Sequence, residues 1–330
     1  MKLHSLLCIA AILLGMPLIT VGAPVTVNGD PFTQVAIGPG ATQLFSLASD
    51  PQGLIYIGNN SNSTTGISVQ LFNPALFSGA AIALQNFGPL VGDADGLTFG
   101  NGFIYVPDRD EGLRRVAVPG GADSLFVSGA AINPTGSPLV FRPSDAHLFV
   151  GFGATVPGAP GANRIDEYNA LGTLVKSFTT VAEPETMTFD PISGLIYYSD
   201  FDTEVRAFNP ISETDVHVGN SSGTIDGGLA FDLRTGLLFV GTVNGVNSGL
   251  VETINPTTGD RTLFATGFNG SVGILREPVL GDLYFLESNA LYRLESRLIP
   301  EPGGMTLLAF GVFSIWSYYL RRRSLRRFRS

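Results

Sequence analysis

The sequence contains few of the side chains that form cross-links or carry out nucleophilic chemistry. Its 330 residues include one cysteine, Cys8, and three histidines. Cys8 lies in an N-terminal segment that we predict to be removed, so the mature chain would have no thiol, no disulfide and no thiolate metal site. Its stability must then come from packing and hydrogen bonding alone.

Basic side chains are also scarce outside the two ends of the chain. Residues 24–300 contain 12 basic and 27 acidic side chains, a net charge of −15, and Lys176 is the only lysine among them. Such a surface repels phosphate backbones, which argues against nucleic acid as a partner. Phosphate-binding loops and dinucleotide fingerprints are absent as well. Cations, neutral sugars and polyanions bridged by calcium remain compatible with this charge.

The N-terminus has the features of an export signal. Lys2 provides a short basic start, and an apolar stretch runs from Leu6 to Met16. Val21-Gly22-Ala23 then has the small residues of a signal-peptidase site. We therefore predict a signal peptide over residues 1–23 and export through the inner membrane.

The C-terminus combines three unlike elements in a fixed order. Pro300-Glu301-Pro302 is followed by an uncharged apolar run over residues 303–320 and an arginine-rich end over 321–330 that begins Arg321-Arg322-Arg323. As a helix the apolar run would be about 27 Å long, close to the thickness of a bilayer core. The arginines would stay in the cytoplasm and leave everything upstream outside.

This order closely resembles the PEP-CTERM sorting signal of Gram-negative bacteria, over residues 299–330. The same tail is sometimes named the C-terminal domain of ice-binding proteins, but the residues themselves do not indicate ice binding. The resemblance implies recognition by an exosortase, a membrane transpeptidase, with cleavage near Pro300-Glu301-Pro302. The protein would begin as a membrane-anchored precursor and end in the cell envelope, at the surface or in the extracellular matrix. The alternative is an ordinary C-terminal membrane anchor.

Between the two ends, a pair of apolar strands joined by a turn recurs six times. The second strand of each pair begins near residues 54, 103, 148, 195, 237 and 283. The mean step of about 46 residues is in the range of four-stranded propeller blades. With 41 glycines and 21 prolines, the chain is also rich in turn formers.

A third strand follows in each unit and often ends at an Asn-Pro turn, as at Asn209-Pro210. The sixth unit lacks a fourth strand, and the segment Phe32–Ile37 at the start of the mature chain could supply it. We therefore predict an all-β fold, a six-bladed β-propeller over residues 24–298 closed by an N-terminal strand, followed by a single C-terminal transmembrane helix. An open two-sheet sandwich is the alternative.

The repeats resemble six-bladed propellers of the NHL, YVTN and SMP-30 (gluconolactonase-like) groups. In the gluconolactonase-like families, Glu, Asn and Asp at the starts of the inner strands hold a calcium ion that polarises a lactone carbonyl. By position, the resemblance assigns such metal-binding roles to Glu185, Asp226 and Asn269, with Asp95 as a further acid. Calcium would suit these oxygen donors, but Asp and Asn are also ordinary residues of solvated turns.

Two functions follow from these patterns. The favoured one is a non-catalytic exported propeller that binds an extracellular polysaccharide or an envelope protein through its rim loops. Families with this sorting tail are associated with exopolysaccharide and biofilm matrix, which points the same way. The alternative is a secreted calcium-dependent hydrolase of lactones or similar esters.

Overall fold

The computed structural model describes residues 24–26, 29, 32–37, 43–60, 67–91, 94, 96–108, 111–128, 138–152, 163–225, 227–243, 249–270, 272–287 and 290–296. Strands are numbered in chain order. The chain begins with two short strands, β1 (Val25–Thr26) and β2 (Thr33–Ile37). The rest of the described chain forms six successive antiparallel sheets, so the predicted six-bladed propeller is confirmed.

Each blade runs outwards from its inner strand as the chain advances. Blade 1 contains β3 (Gln43–Ser49), β4 (Ile55–Asn60), β5 (Ile67–Phe72) and β7 (Gln85–Val91). Before β7 come a 3-10 turn (Pro74–Leu76) and β6 (Ile82–Ala83). Blade 2 contains β8 (Thr98–Gly100), β9 (Phe103–Asp108), β10 (Gly112–Ala117) and β11 (Asp123–Ser128). Blade 3 contains β12 (Leu139–Arg142), β13 (His147–Phe152), β14 (Arg164–Tyr168) and β15 (Leu174–Thr179).

The remaining blades follow the same plan. Blade 4 contains β16 (Thr186–Phe189), β17 (Ile196–Ser199), β18 (Glu204–Asn209) and β19 (Thr214–Asn220). Blade 5 contains β20 (Leu229–Asp232), β21 (Leu237–Val243), β22 (Gly249–Ile254) and β23 (Arg261–Phe268). Blade 6 contains β24 (Val272–Arg276), β25 (Leu283–Glu287) and β26 (Ala290–Leu294).

The N-terminal segment completes the ring, as predicted. Strand β2 pairs antiparallel with β26 and becomes the fourth strand of blade 6. Two further pairings were not predicted: β1 extends blade 5 by pairing with β23, and β6 pairs parallel with β2. Residues 25–37 therefore join blades 5, 6 and 1 and cover strand edges that would otherwise be open.

The core consists of six apolar clusters, one at each interface between neighbouring blades. The cluster that closes the ring joins Val35 of β2 and Tyr284 of blade 6 to Ile55 and Phe72 of blade 1. Inter-blade packing is thus continuous around the ring, and hydrophobic burial holds the first and last blades together.

Polar side chains fix the hairpins on one side of the ring. In the turn between the first and second strands, Asp50 and Asp190 each accept a hydrogen bond from the backbone amide two residues later. In the turn between the third and fourth strands, Asn209 and Asn255 do the same. These bonds are the reason that Asp and Asn precede proline in the repeats. We call this side, with the first-to-second and third-to-fourth strand turns, the lower face. The upper face carries the second-to-third strand loops and the connections between blades.

Candidate functional site

The six inner strands surround a central channel. The same six apolar residues, one from each blade, line both an upper and a lower cavity of this channel: Leu47, Leu97, Leu139, Met187, Leu229 and Ile274. Five of them are also buried members of the inter-blade clusters, and Leu47 packs against the sixth cluster.

The upper cavity is small, with a volume of about 70 Å³. Among the described residues that line it, Glu185 is the only one with an ionisable side chain. The backbone amide of Glu185 donates to the carbonyl of Ser199 over 2.8 Å, which fixes the start of β16. The nearby hydroxyl of Thr186 lies 2.8 Å from the hydroxyl of Ser199. The described lining thus offers one carboxylate and no nucleophile–histidine pair.

The predicted calcium ligands are described only in part. Glu185 lines the upper cavity, and Asn269 lies exposed on the upper face in the connection from blade 5 to blade 6. Asp95 and Asp226 lie outside the described residues, as do the sorting-signal residues Pro300, Glu301, Pro302, Arg321, Arg322 and Arg323. Calcium needs about six to eight oxygen ligands. The described part of the cavity supplies the carboxylate of Glu185, so a calcium site here would depend on Asp95 and Asp226.

Other carboxylates of the upper face have local partners. Asp200 accepts hydrogen bonds from the backbone amides of Asp202 at 3.1 Å and Glu204 at 2.9 Å, which makes it a turn residue. Burial raises the pKa of Asp200 above its usual range. Glu204 forms an ion pair with Arg206 at 2.5 Å, and the buried Asp108 lies 4.0 Å from Arg114. These contacts favour a structural role for the acids in the turns of this face.

An exposed aromatic side chain lies next to the acidic residues of the upper face. Phe201 lies between Asp200 and Asp202 in the second-to-third strand loop of blade 4 and is 57% exposed. Phenylalanine is normally a core residue. A phenyl ring that projects into solvent beside carboxylates is suited to contact a ligand with both apolar and hydroxyl faces.

The lower cavity is larger, about 250 Å³, and residues of the inner strands of all six blades line it. Phe99, Phe141, Phe189 and Phe231 line it together with Arg276. The Nε of Arg276 lies 3.0 Å from Oδ1 of the buried Asp232, so an ion pair joins blades 5 and 6 at this end of the channel. Burial lowers the pKa of Arg276, and the neighbouring carboxylate of Asp232 partly offsets the shift.

One ionisable cluster was missed at the level of sequence. Asp145, His147 and Glu167 lie close enough to share a metal ion. Nδ1 of His147 lies 2.7 Å from Oε1 of Glu167. The guanidinium of Arg142, however, donates to both carboxylates, so each of them already has a positively charged partner. The side-chain hydrogen bond from Arg142 is also the main reason that the pKa of Asp145 is lowered.

Comparisons with known proteins support the fold alone. No family model matches the chain, and no curated protein matches it in sequence. One similar structure is the extracellular domain of a candidate one-component system, BT4673, from B. thetaiotaomicron, at 13% identity and a TM-score of 0.51. The alignment covers 79% of this chain and 39% of that one. Another is the computationally designed protein Ika8, at 12% identity and a TM-score of 0.46, with 81% and 75% of the two chains covered.

In the part of the chain that the structure describes, no helix is long and apolar enough to cross a bilayer. The predicted transmembrane segment, residues 303–320, lies outside them.

Proposed function

We propose that this protein is an exported, non-catalytic propeller that is held at the membrane by its tail until processing and binds an extracellular polysaccharide or an envelope protein. The proposal rests on the predicted export signal, the predicted sorting tail and the geometry of the upper face. The protein would act in the cell envelope or the surrounding matrix.

The observation that carries the binding function is the size of the upper cavity. Small-molecule sites usually enclose about 300–1,000 Å³, and the described part of this cavity measures about 70 Å³. That volume is too small to enclose a typical small substrate. An extended ligand could instead lie across the loops of the upper face, where its contacts would be spread over several blades.

Phe201 offers one anchor point for such a ligand. Its exposed ring could stack against the apolar face of a sugar, and Asp202 beside it could accept hydrogen bonds from sugar hydroxyls. Aromatic side chains provide much of the energy of binding surfaces because their contact area is large and rigid.

Binding can be tested with the mature protein and the polysaccharide fraction of the native host's matrix. We expect saturable binding without turnover, and we expect Phe201→Ala to weaken it by about tenfold, the effect of losing roughly 1.4 kcal/mol. Leu171→Ala is a matched control, since Leu171 is 85% exposed on the lower face. Equal loss of binding in both variants, or no binding by the unmodified protein, would contradict the proposal.

Processing by an exosortase has its own test. Mass spectrometry of the mature protein from the native host should find a C-terminus near Pro300-Glu301-Pro302. A mature product that still carries Arg321-Arg322-Arg323 would instead indicate an ordinary membrane anchor.

A second candidate function is a calcium-dependent lactonase or esterase. The position of Glu185 at the cavity lining favours it. Hydrolysis of a small-lactone panel that is lost in Glu185→Gln and Asp226→Asn would support this function. If calcium chelation changes neither activity nor melting temperature, the calcium proposal fails.

A further inference from the structure

The lower face carries a set of exposed aliphatic side chains at the tips of its turns. They come from five of the six blades and are each 53% to 86% exposed: Leu76, Leu171, Ile192, Ile211, Leu233, Val279 and Leu280. Five of these turns are hydrogen-bonded by an Asn or Asp side chain, so the backbone that presents the tips is held in place.

The other seven exposed large hydrophobic side chains of the described surface are divided between two regions. Five lie on the sides of outer strands, and two, Val181 and Phe201, lie on the described part of the upper face. Single exposed aliphatic residues are common in soluble proteins. A repeated aliphatic tip on one side of a ring is a different pattern. Four of the tips belong to first-to-second strand turns around the lower end of the channel, and the other three belong to third-to-fourth strand turns farther from it.

The chain also leaves the propeller on this face. Strand β26 is the third strand of blade 6 and runs towards the lower face, and the chain after it is held there by two hydrogen bonds. The amide of Ser296 donates to Oδ1 of Asp282 over 2.8 Å, and Nη1 of Arg234 donates to the carbonyl of Ser296 over 3.2 Å. Leu233 lies next to Arg234, and Leu280 lies two residues before Asp282 in the other turn. The exit is therefore flanked by aliphatic tips.

Only a short stretch separates this exit from the predicted transmembrane segment. Residue 303 is seven residues beyond Ser296, and a fully extended chain of that length reaches about 24 Å. Proline disfavours helical backbone at the residue before it, so Pro300 and Pro302 favour an extended form of this stretch. With the tail inserted in a bilayer, the lower face must stay within this distance of the lipid surface.

We propose that the lower face of the propeller rests on the lipid surface of the membrane from which the tail is anchored, with its aliphatic turn tips in the headgroup region. The inference rests on the proposed membrane-held precursor and goes beyond it by assigning an orientation. The upper face, with Phe201 and the mouth of the channel, then points away from the membrane. Apolar side chains at an interface insert about 5–10 Å into the headgroup and acyl boundary, which short turn tips can reach without unfolding.

Site-directed fluorescence in vesicles tests this orientation. The full chain, carrying Cys8→Ser, is reconstituted in vesicles of phosphatidylethanolamine and phosphatidylglycerol with one environment-sensitive label at a time. The labelled positions on the lower face are Ile192→Cys, Ile211→Cys and Leu233→Cys. Phe201→Cys is the matched control, an exposed hydrophobic position on the opposite face.

We expect the three lower-face labels to be blue-shifted and on the order of threefold less accessible to an aqueous quencher than the label at position 201, as for interfacial insertion. Thermal melting checks that each variant is folded. If the chain floats with the vesicles and all four labels are equally accessible, the orientation is wrong although the anchor holds.

Two other outcomes also overturn the proposal. If the chain does not float with the vesicles, the anchored precursor fails, and the orientation with it. If the lower-face labels quench one another in vesicles, and this is relieved by adding unlabelled chain, a second copy of the protein covers the face instead of lipid.

Discussion

The backbone amide of Asn269 donates a hydrogen bond to Oε1 of Glu287 over 2.5 Å, which joins the connection between blades 5 and 6 to the end of β25. Glu287 is only 7% exposed, and this burial raises the pKa of its carboxyl group, while the bond from Asn269 partly lowers it. The charged form of Glu287 is therefore held at a cost to stability at neutral pH.

This relationship predicts a pH-dependent gain from Glu287→Gln. A carboxyl group whose pKa is higher in the folded than in the unfolded state favours folding in its protonated form. This contribution to stability is complete below the unfolded pKa and is lost as pH rises through the folded pKa. The glutamine keeps an oxygen that can accept the bond from Asn269 but carries no charge. We expect the variant to be more stable than the unmodified protein at pH 7, with the difference shrinking towards pH 4 in urea unfolding. A variant that is less stable at pH 7 would show that the charge itself is needed there.

Arg276 offers a test of how blades 5 and 6 are joined. Its side chain is 11% exposed and pairs with Asp232, whose side chain is 1% exposed. Removing one partner of a buried ion pair leaves the other charge buried and costs about 3 kcal/mol or more. We expect Arg276→Met to lose that amount in urea unfolding.

The control for this variant is Lys176→Met. Lys176 is 44% exposed and lies 2.6 Å from Glu213, which is 54% exposed, and exposed pairs contribute at most about 1 kcal/mol. Equal losses of stability in the two variants would mean that the pair of Arg276 and Asp232 stabilises the protein no more than an exposed pair does.

The repeat spacing was sufficient to predict most of this fold. The predicted second strands begin within one residue of β4, β9, β13, β17, β21 and β25, and the predicted fourth strand of blade 6 matches β2. These features depend on the local alternation of apolar residues and on the residue types at turns, and both can be recognised in short stretches of sequence.

The features that escaped prediction depend on pairing between distant segments. Strand β1 has two residues, too few to show a period, and its partner β23 lies at the other end of the chain. The cluster of His147 and Glu167 arises because β13 and β14 pair with Phe149 opposite Glu167. This register brings together residues that are twenty positions apart. The sequence shows the residue types there but not the register.

The site could be predicted only in outline. Glu185 precedes the inner strand β16 and lines the upper cavity, and its role as a metal ligand stays a prediction. Asp200 accepts backbone hydrogen bonds from its own turn. The sequence could not show this, because an aspartate can serve equally as a turn residue or as a metal ligand. The roles of Asp95 and Asp226 stay predictions.

Close packing between blades predicts a strong effect of adding one methyl group. Gly241 on β21 faces the start of blade 6, and a Cβ atom there would lie 2.2 Å from the carbonyl oxygen of Val272. Because backbone cannot move aside as easily as a side chain, we expect Gly241→Ala to destabilise the protein by about 2–3 kcal/mol in urea unfolding.

Gly219→Ala is the milder comparison for this site. Its Cβ atom would meet the carbonyl oxygen of Gly259 at 3.2 Å, a tight but tolerable distance. We expect a loss below about 1 kcal/mol. If both alanine variants were equally stable, blades 5 and 6 would be less tightly packed than the structure indicates.

Closure of the ring can be tested at Val35. This residue lies at the bulge in β2, where the pairing with β26 shifts register between Gln34 and Ala36. Its side chain is fully buried in the apolar cluster between blades 6 and 1. Val35→Ala should therefore cost about 2 kcal/mol, the order expected for truncating a buried aliphatic side chain. Thr33→Ala on the exposed side of the same strand should cost less than about 0.5 kcal/mol.

Hydrogen exchange distinguishes loss of closure from general destabilisation in Val35→Ala. If β2 holds the ring shut, amides of blades 6 and 1 should exchange faster than those of blades 3 and 4, because opening would begin where the two ends of the propeller meet. A uniform increase in exchange rate across all six blades would mean that the ring unfolds as one unit. Strand β2 would then contribute to packing, but opening would not begin there.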